Sequence, residues 1–328
     1  MSALIRARAL DPAVLGAFRA RALGALVMGV LLLMPFWMEA VGGYTELASR
    51  ILVMGLAAMA LNFLLGFTGV LSFGHAAYFG LGAYGAAMGI KYLELGTLPA
   101  ILLGVLAGSL AAALIGALIV RRRGVYFAMV TIAFGQVFYF LAFRWNAVTG
   151  GDDGLTGWHR LPIDLPFMQL DIFSNDKAFY YFVFVVFALC VAAMAQLLDS
   201  PFGRTLAAIR ENERRARFLG VPVETHIWLS FVISCFFVSV AGGLYALLNN
   251  FTDPRALRFD LSGNLVIMAV LGGMRSFWGP LIGAAIFVAM QDFVSSRTEN
   301  WMSVVGLMFI LVVRFFPRGV LGLLRRGA

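Results

Sequence analysis

The chain has 328 residues, of which 61% are hydrophobic and only 13% charged, with a mean hydropathy of +0.89. Soluble globular chains carry about 25% charged residues. Here the runs 98–120, 125–143 and 227–248 hold no Asp, Glu, Lys, Arg or His, and each is near the roughly 20 residues that cross a hydrocarbon core. That excludes an ordinary soluble fold. The net charge of +8 does not indicate a nucleic-acid partner, because the arginines cluster at the ends of the apolar runs, as the positive-inside rule places them.

In chain order, the apolar pattern predicts spans at 23–38, 48–66, 70–90, 98–120, 125–143, 178–198, 227–249, 263–274, 279–292 and 301–316. The first follows Arg6, Arg8, Arg19 and Arg21 and lacks a convincing small-x-small cleavage site, so it is read as an uncleaved span. Residues 1–22 then form a cytoplasmic arm. The second and third spans are joined through "GFTG" after Gly66, which places His75 a turn or two inside the cytoplasmic end of the third. In the fourth, Gly104, Gly108, Ala112 and Gly116 fall four apart and form one small-residue stripe for close helix packing. Gly85 and Gly89 repeat that spacing in the third.

Arg121-Arg122-Arg123 closes the fourth span on the cytoplasmic side. The 144–177 loop carries Asp152, Asp153, Asp164, Asp171 and Asp176, and its acidity assigns it to the outer side. The segment 199–226 holds Arg204, Arg210, Arg214, Arg215 and Arg217 and returns to the cytoplasm. Within it Leu206, Ile209, Ala216 and Leu219 are read as the apolar face of two short helical pieces, stopped by Gly220 and Pro222. Such a segment either rests on anionic lipid or docks a soluble partner. Parity decides the next region. An unbroken helix from 263 to 291 would bury Arg275 about 18 Å from its nearer end at 1.5 Å per residue, at about 2.5–3.5 kcal/mol. A turn at "GGMRSFWGP" avoids this, with Gly272, Gly273, Gly279 and Pro280 as turn formers and Arg275 at the cytoplasmic surface. The tail 317–328, with Arg318, Arg325 and Arg326, also ends inside. The expected fold is one all-α polytopic membrane domain over 1–328, of about ten helices with both termini cytoplasmic.

The chemistry is sparse. Of two lysines, Lys91 and Lys177, neither follows a glycine, so there is no phosphate loop. His75, His159 and His226 lie in separate regions without metal-ligand spacing, and no nucleophile elbow or H-E-x-x-H is present. Cys190 and Cys235 sit in apolar runs as small hydrophobes. No carboxylate lies well inside a span, which disfavours a stand-alone secondary transporter or channel and a membrane enzyme alike. No catalytic, metal or cofactor site is expected.

Four separated blocks resemble one known family: "LNFLLGFTGVLSFGHAAYFGLGAY", "TGGDDGLTG", "FGRTLAAIRENERRARFLGV" with "AGGLYALL", and "VLGGMRSFWGPLIGA" followed by "FFPRGVLGLL". Together they resemble the ABC-transporter permeases for branched-chain amino acids of the LivM type, a family shared with urea and short-amide permeases. The resemblance implies an inner-membrane importer subunit paired with a second homologous permease. It also implies two cytoplasmic ATPase subunits that hold the ATP, and a periplasmic substrate-binding protein. It implies that Arg204, Arg210, Glu211, Glu213, Arg214, Arg215, Ala216 and Gly220 form the coupling segment. The better-known coupling loop begins Glu-Ala-Ala; this chain has Glu213-Arg214-Arg215-Ala216, with two arginines among the small residues. Candidates for the substrate path or gate are Asn62, Ser72, Gly74, His75, Tyr78 and Gln136 at membrane depth, and Gly150, Gly151, Asp153 and Gly154 in the outer loop. His75 has two readings, a structural hydrogen bond or a lining position on the path. "TGGDDGLTG" likewise reads as a gate or binding-protein contact, or as a capped turn.

Overall fold

The computed structural model describes residues 23–40, 42–161, 163–165, 168–170, 175–298, 300–315 and 319–321. The basic arm before 23 and the tail arginines Arg318, Arg325 and Arg326 lie outside the described residues. The expected first span is two pieces, α1 (Leu23–Leu32) and α2 (Met34–Ala40). Pro35 explains the interruption at Leu33, since its ring displaces the carbonyl four residues back and it offers no N–H. Then come α3 (Thr45–Thr68), α4 (His75–Leu93), α5 (Thr97–Ile119), α6 (Val125–Arg144) and the short α7 (Asn146–Thr149). The expected all-α chain carries one small exception here, an antiparallel hairpin of β1 (Ile163–Leu165) and β2 (Met168–Leu170) with Ile163 opposite Leu170. After it follow α8 (Asp176–Asp199), α9 (Pro201–Glu211), α10 (Glu213–Phe218), α11 (Val223–Asn249), α12 (Phe259–Gly272), α13 (Gly279–Ser295) and α14 (Trp301–Phe315).

By length and apolarity α3, α5, α6, α8 and α11 can each cross a membrane, and α1, α12 and α13 are shorter apolar helices. Helices α3 and α11 are apolar on every side and buried on almost every side, so they form the centre. In lipid no hydrophobic force draws helices together, and packing falls to small residues that let backbones meet. The stripe on α5 does this. A Cβ on Gly104 would run into the Gly82 carbonyl of α4, one on Gly108 into the Ser239 hydroxyl of α11, and one on Gly116 into Phe231 and Trp228. The opposite face of α5 presents Leu102, Leu106, Leu110, Leu114 and Leu118, all exposed.

The turn at 273–278 forms as expected. Gly272 and Gly279 meet backbone to backbone, Gly273 takes φ 115, Pro280 opens α13 and Arg275 is exposed. Gly319 (φ +72) packs on Gly273, so the last two quoted blocks touch. The join between the second and third spans differs from expectation. Helix α3 does not stop at Gly66 but runs to Thr68, where Gly69 caps it in the left-handed region. Residues 69–74 are not helical, and α4 starts only at His75.

Candidate functional site

The break between α3 and α4 leaves backbone groups without helical partners, and side chains of two other helices and of the break itself take them up. Phe73 N–H donates to Thr131 Oγ1 on α6 (3.2 Å), Ala76 N–H to Ser262 Oγ on α12 (2.8 Å), and Gly74 N–H to Ser72 Oγ (3.3 Å). Gly74 is required there, because a Cβ would stand 2.5 Å from the Thr131 carbonyl oxygen.

His75, the first residue of α4, is wholly buried, more so than a place a turn or two inside the end of its span suggests. Its Nδ1 is 3.0 Å from Ser72 Oγ and its Nε2 is 2.8 Å from Ser234 Oγ on α11. Ser234 donates its single proton to the Ala60 carbonyl of α3 (2.6 Å), so it must accept from His75. The ring is therefore protonated on Nε2, and Nδ1 accepts from Ser72. The chain Ser72, His75, Ser234, Ala60 is satisfied by a neutral imidazole and joins α4, α11 and α3. Tyr78 and Phe231 stand edge-on to the ring at 6.4 and 6.0 Å. This geometry supports the structural reading of His75.

Toward the arginine-rich end a second hydroxyl joint, Thr68 to Ser230 at 2.7 Å, links α3 and α11. Beyond it α9 and α10 lie across the bundle. Ser200 caps α9 ahead of Pro201, and Asn212 both ends α9 and caps α10 by accepting from Arg215 N–H (2.9 Å). Leu206, Ile209 and Ala216 are buried as expected. Leu219 is not: it is 78% exposed, and Phe218 beside it is 90% exposed. An ion-pair network holds α10 down. Arg123 Nε donates to Glu213 (2.9 Å), and Arg217 Nη2 donates to Glu213 (2.9 Å) and to Glu224 (2.6 Å). Burial raises the Glu213 carboxyl, but the bonds from Arg217 and Arg123 outweigh it and leave it below the usual carboxylate range. Arg210 donates to the Gly66 carbonyl; burial and the nearby Arg275 lower its guanidinium from its ordinary value. A cavity of about 610 Å³ lies between the 69–74 break, the α5–α6 turn and α9.

At the opposite end the "TGGDDGLTG" loop is a clasp. Gly150, Gly151 and Gly154 take φ +78, +61 and +74, values that favour glycine. Leu155 and Thr252 exchange backbone hydrogen bonds of 2.7 and 3.3 Å, which ties the loop to the segment after α11. A Cβ on Gly154 would sit 2.6 Å from the Thr252 carbonyl oxygen. Lys91 donates to the Thr156 carbonyl (2.8 Å), and Tyr92 to that of Val148 (3.0 Å). Asp153 is exposed.

The predicted residues thus separate into groups. Ser72, Gly74, His75 and Tyr78 come together, and Gly150, Gly151 and Gly154 form the clasp. Asn62 lies elsewhere: its Nδ2 donates to the Ser276 carbonyl (3.3 Å) and fixes α3 to the turn of Gly272, Gly273 and Arg275. Gln136 is half-buried on α6 and takes no part in the His75 chain. On the coupling segment Arg204, Glu211, Arg214, Arg215 and Gly220 are exposed, Ala216 is buried, and Glu213 is engaged as above. Ser230, Ser234, Thr131, Ser262, Phe218 and the Arg123 link were not foreseen. Ser230 and Ser234, four apart in an apolar run, carried a legible helical spacing. Among the described residues no cluster of His, Cys, Asp and Glu could hold a metal ion.

Residues 43–313 match the family model described as branched-chain amino acid transport system / permease component. The high-affinity branched-chain amino acid transport system permease protein LivM of Salmonella typhimurium is 28% identical over 318 residues, covering 91% of this chain and 75% of that protein. Its Escherichia coli counterpart is 28% identical over 301 residues, 86% of this chain and 71% of that protein. The LivH permease protein of Salmonella typhimurium is 31% identical over 140 residues, 42% of this chain and 45% of that protein. No solved structure matches. The relatives are transport permease components, and the apolar helices make this a multi-pass membrane protein. With a match spanning most of its length, the chain belongs to the branched-chain amino acid transport permease family.

Proposed function

We propose that this chain is the LivM-type permease subunit of an ATP-binding-cassette importer in a bacterial inner membrane, moving branched-chain or other hydrophobic amino acids inward. The arginine-rich end then faces the cytoplasm and the glycine clasp faces the periplasm. The observation that carries the reading is the build of α9 and α10. Their apolar residues Leu206, Ile209 and Ala216 lock onto the bundle, while Phe218 and Leu219 stand bare among Arg214, Arg215 and Arg217. An exposed aromatic with arginines around it is the composition of an interface anchor, and it fits a soluble ATPase subunit that contributes carboxylates. Two such ATPases, a second permease of the LivH kind and a periplasmic binding protein complete the assembly. The binding protein supplies affinity, which accounts for a permease interior with few polar groups.

The same network explains how force enters. A pull on α10 is passed through Glu213 and Arg123 to the α5–α6 turn, and through Glu224 to the start of α11. The test is reconstitution of the chain with its candidate partners. ATP-dependent leucine uptake is expected, with Arg214→Glu/Arg215→Glu inserting normally but uncoupled. Leucine movement without ATP, failure to associate with any ATPase, or full uptake by the charge-reversed variant would each refute the reading.

A further inference from the structure

The cavity of about 610 Å³ at the arginine-rich end lies within the roughly 300–1,000 Å³ typical of small-molecule sites, and its lining is asymmetric. Arg122, Arg123 and Arg210 contribute three guanidinium groups. Glu213 is the carboxylate of the lining, and it already accepts from Arg123 and Arg217. Arg122 makes no ion pair among the described residues, and Arg123 Nη2 is buried without a hydrogen-bond acceptor, with Glu224 4.0 Å away. Arg275 stands close enough to Arg210 to depress its guanidinium, so the positive field extends past the lining. The remaining wall is mostly aliphatic and aromatic, with Val70, Phe73 and Ile227 among it, and its one hydroxyl, on Thr68, is engaged with Ser230. Leu71, in the non-helical break, also lines the cavity, and its backbone N–H has no acceptor among the described residues.

An excess of fixed cationic donors beside an apolar wall selects a ligand with one anionic head and a short hydrocarbon body. Guanidinium–carboxylate bonds are charge-assisted and geometrically selective. We propose that this cavity is the cytoplasmic release site, holding an aliphatic amino acid by its carboxylate on Arg122 and Arg210 with its side chain against the apolar wall. The inference rests on the importer reading and names the exit end of its path. The carboxylate is the anchor, so the ligand need not carry an amine to be held.

The test is equilibrium binding of radiolabelled leucine to the full chain in nanodiscs of phosphatidylcholine alone. Saturable binding is expected, with 4-methylpentanoate competing and with leucinamide and glycine weaker by at least about tenfold. Arg210→Ala and Arg122→Ala should each weaken binding by about tenfold. The second keeps the test sound if loss of the Arg210–Gly66 bond disturbs the fold. Absence of saturable binding, or binding unchanged in both variants, overturns the proposal. A parallel arm adds phosphatidylglycerol. If that lipid is retained by the wild type in native mass spectrometry, is lost from Arg122→Ala and displaces leucine, the occupant is a lipid phosphate and the proposal is overturned. Leucine uptake by the complete assembly separates the two readings. Intact ATP-driven uptake without leucine binding overturns the release site alone. Binding with the expected variant pattern but no ATP-driven uptake upholds the site and overturns the importer reading.

Discussion

Removing the Ser234 hydroxyl tests the proton order assigned to the central chain. In Ser234→Ala the His75 Nε2–H loses its acceptor, while Ala60 keeps its helical hydrogen bond. The ring is edge-on to Tyr78 and Phe231, and Phe231 is itself packed by Phe127, so no replacement acceptor is at hand. A buried donor left unsatisfied costs about 1–3 kcal/mol, and that is the expected loss of stability. His75→Phe acts differently. Ser234 still donates to Ala60 and Ser72 still accepts from Gly74 N–H, so only the two bonds to the ring disappear. In the double variant Ser234→Ala/His75→Phe the Nε2–H and its acceptor are gone together, and the Ser72 hydroxyl, left without Nδ1 in both His75→Phe proteins, cancels from the cycle. The double-mutant cycle should therefore show a coupling of about 0.5–3 kcal/mol in favour of the pair. Unfolding in detergent micelles, followed by circular dichroism, reads all four proteins. Strict additivity would falsify the assignment of His75 as the donor to Ser234.

Three further outcomes follow from other parts of the molecule. Gly104→Ala places a methyl inside contact distance of the Gly82 carbonyl, so α4 and α5 must part, at about 1–3 kcal/mol. Gly306→Ala, with nothing within 4 Å of the new Cβ, should be neutral or stabilising by up to about 1 kcal/mol; thermal melts that rank the two the other way refute the packing role. Asp at Phe218 or Leu219 should weaken ATPase association at least about tenfold with the melting temperature unchanged, since both side chains are already in water; co-purification yield measures this, and undiminished yield refutes it. The depressed Glu213 carboxyl sets a pH window. Its contribution is complete above the ordinary value of 4.5 and fades as pH falls through the lower folded value. A spin label on Arg214→Cys should hold one mobility from pH 8 to 5 and loosen only below 4.5; loosening near neutral pH would remove Glu213 from the docking of α10.

What the sequence disclosed, and what it hid, divides along physical lines. The α5 stripe was legible because four glycine or alanine residues at a spacing of four leave one interpretation on a helix. The 273–278 turn was legible because an arginine at mid-membrane is costly enough to force a break. The break at 69–74 was placed too early. "VLSFG" is as apolar as a helix, and the groups that stabilise its open backbone, Thr131 and Ser262, come from distant segments. His75 was expected near the surface because the turn was taken as the edge of the protein, whereas the Ser72 and Ser234 contacts place it inside the bundle. Leu219 was assigned to one apolar face with Leu206, Ile209 and Ala216 because all four are apolar residues among arginines and glutamates. Asn212 breaks the helix between them, and past it Ala216 turns inward while Phe218 and Leu219 turn out.

The distribution of close contacts limits where this permease can move. Helices α4, α5 and α11 meet backbone to backbone at Gly82, Gly85, Gly104 and Gly242, while α12, α13 and the segment at Gly319 do so at Gly272, Gly273 and Gly283. Such contacts interlock over their whole surface and resist sliding. The α3–α11 seam has polar joints instead, Thr68 to Ser230 and Ser234 to Ala60. A hydroxyl can exchange one acceptor for another at little net cost, so on the proposed importer reading the seam is where one group of helices should shift against the other. Because α10 is tied to the start of α11 through Glu224, displacement of α10 is delivered to that seam. Thr68→Cys/Ser230→Cys, at positions whose native oxygens are 2.7 Å apart, should form a disulfide that stops ATP-driven uptake and releases it on reduction. Full uptake with the cross-link shown to be complete would place the moving boundary elsewhere.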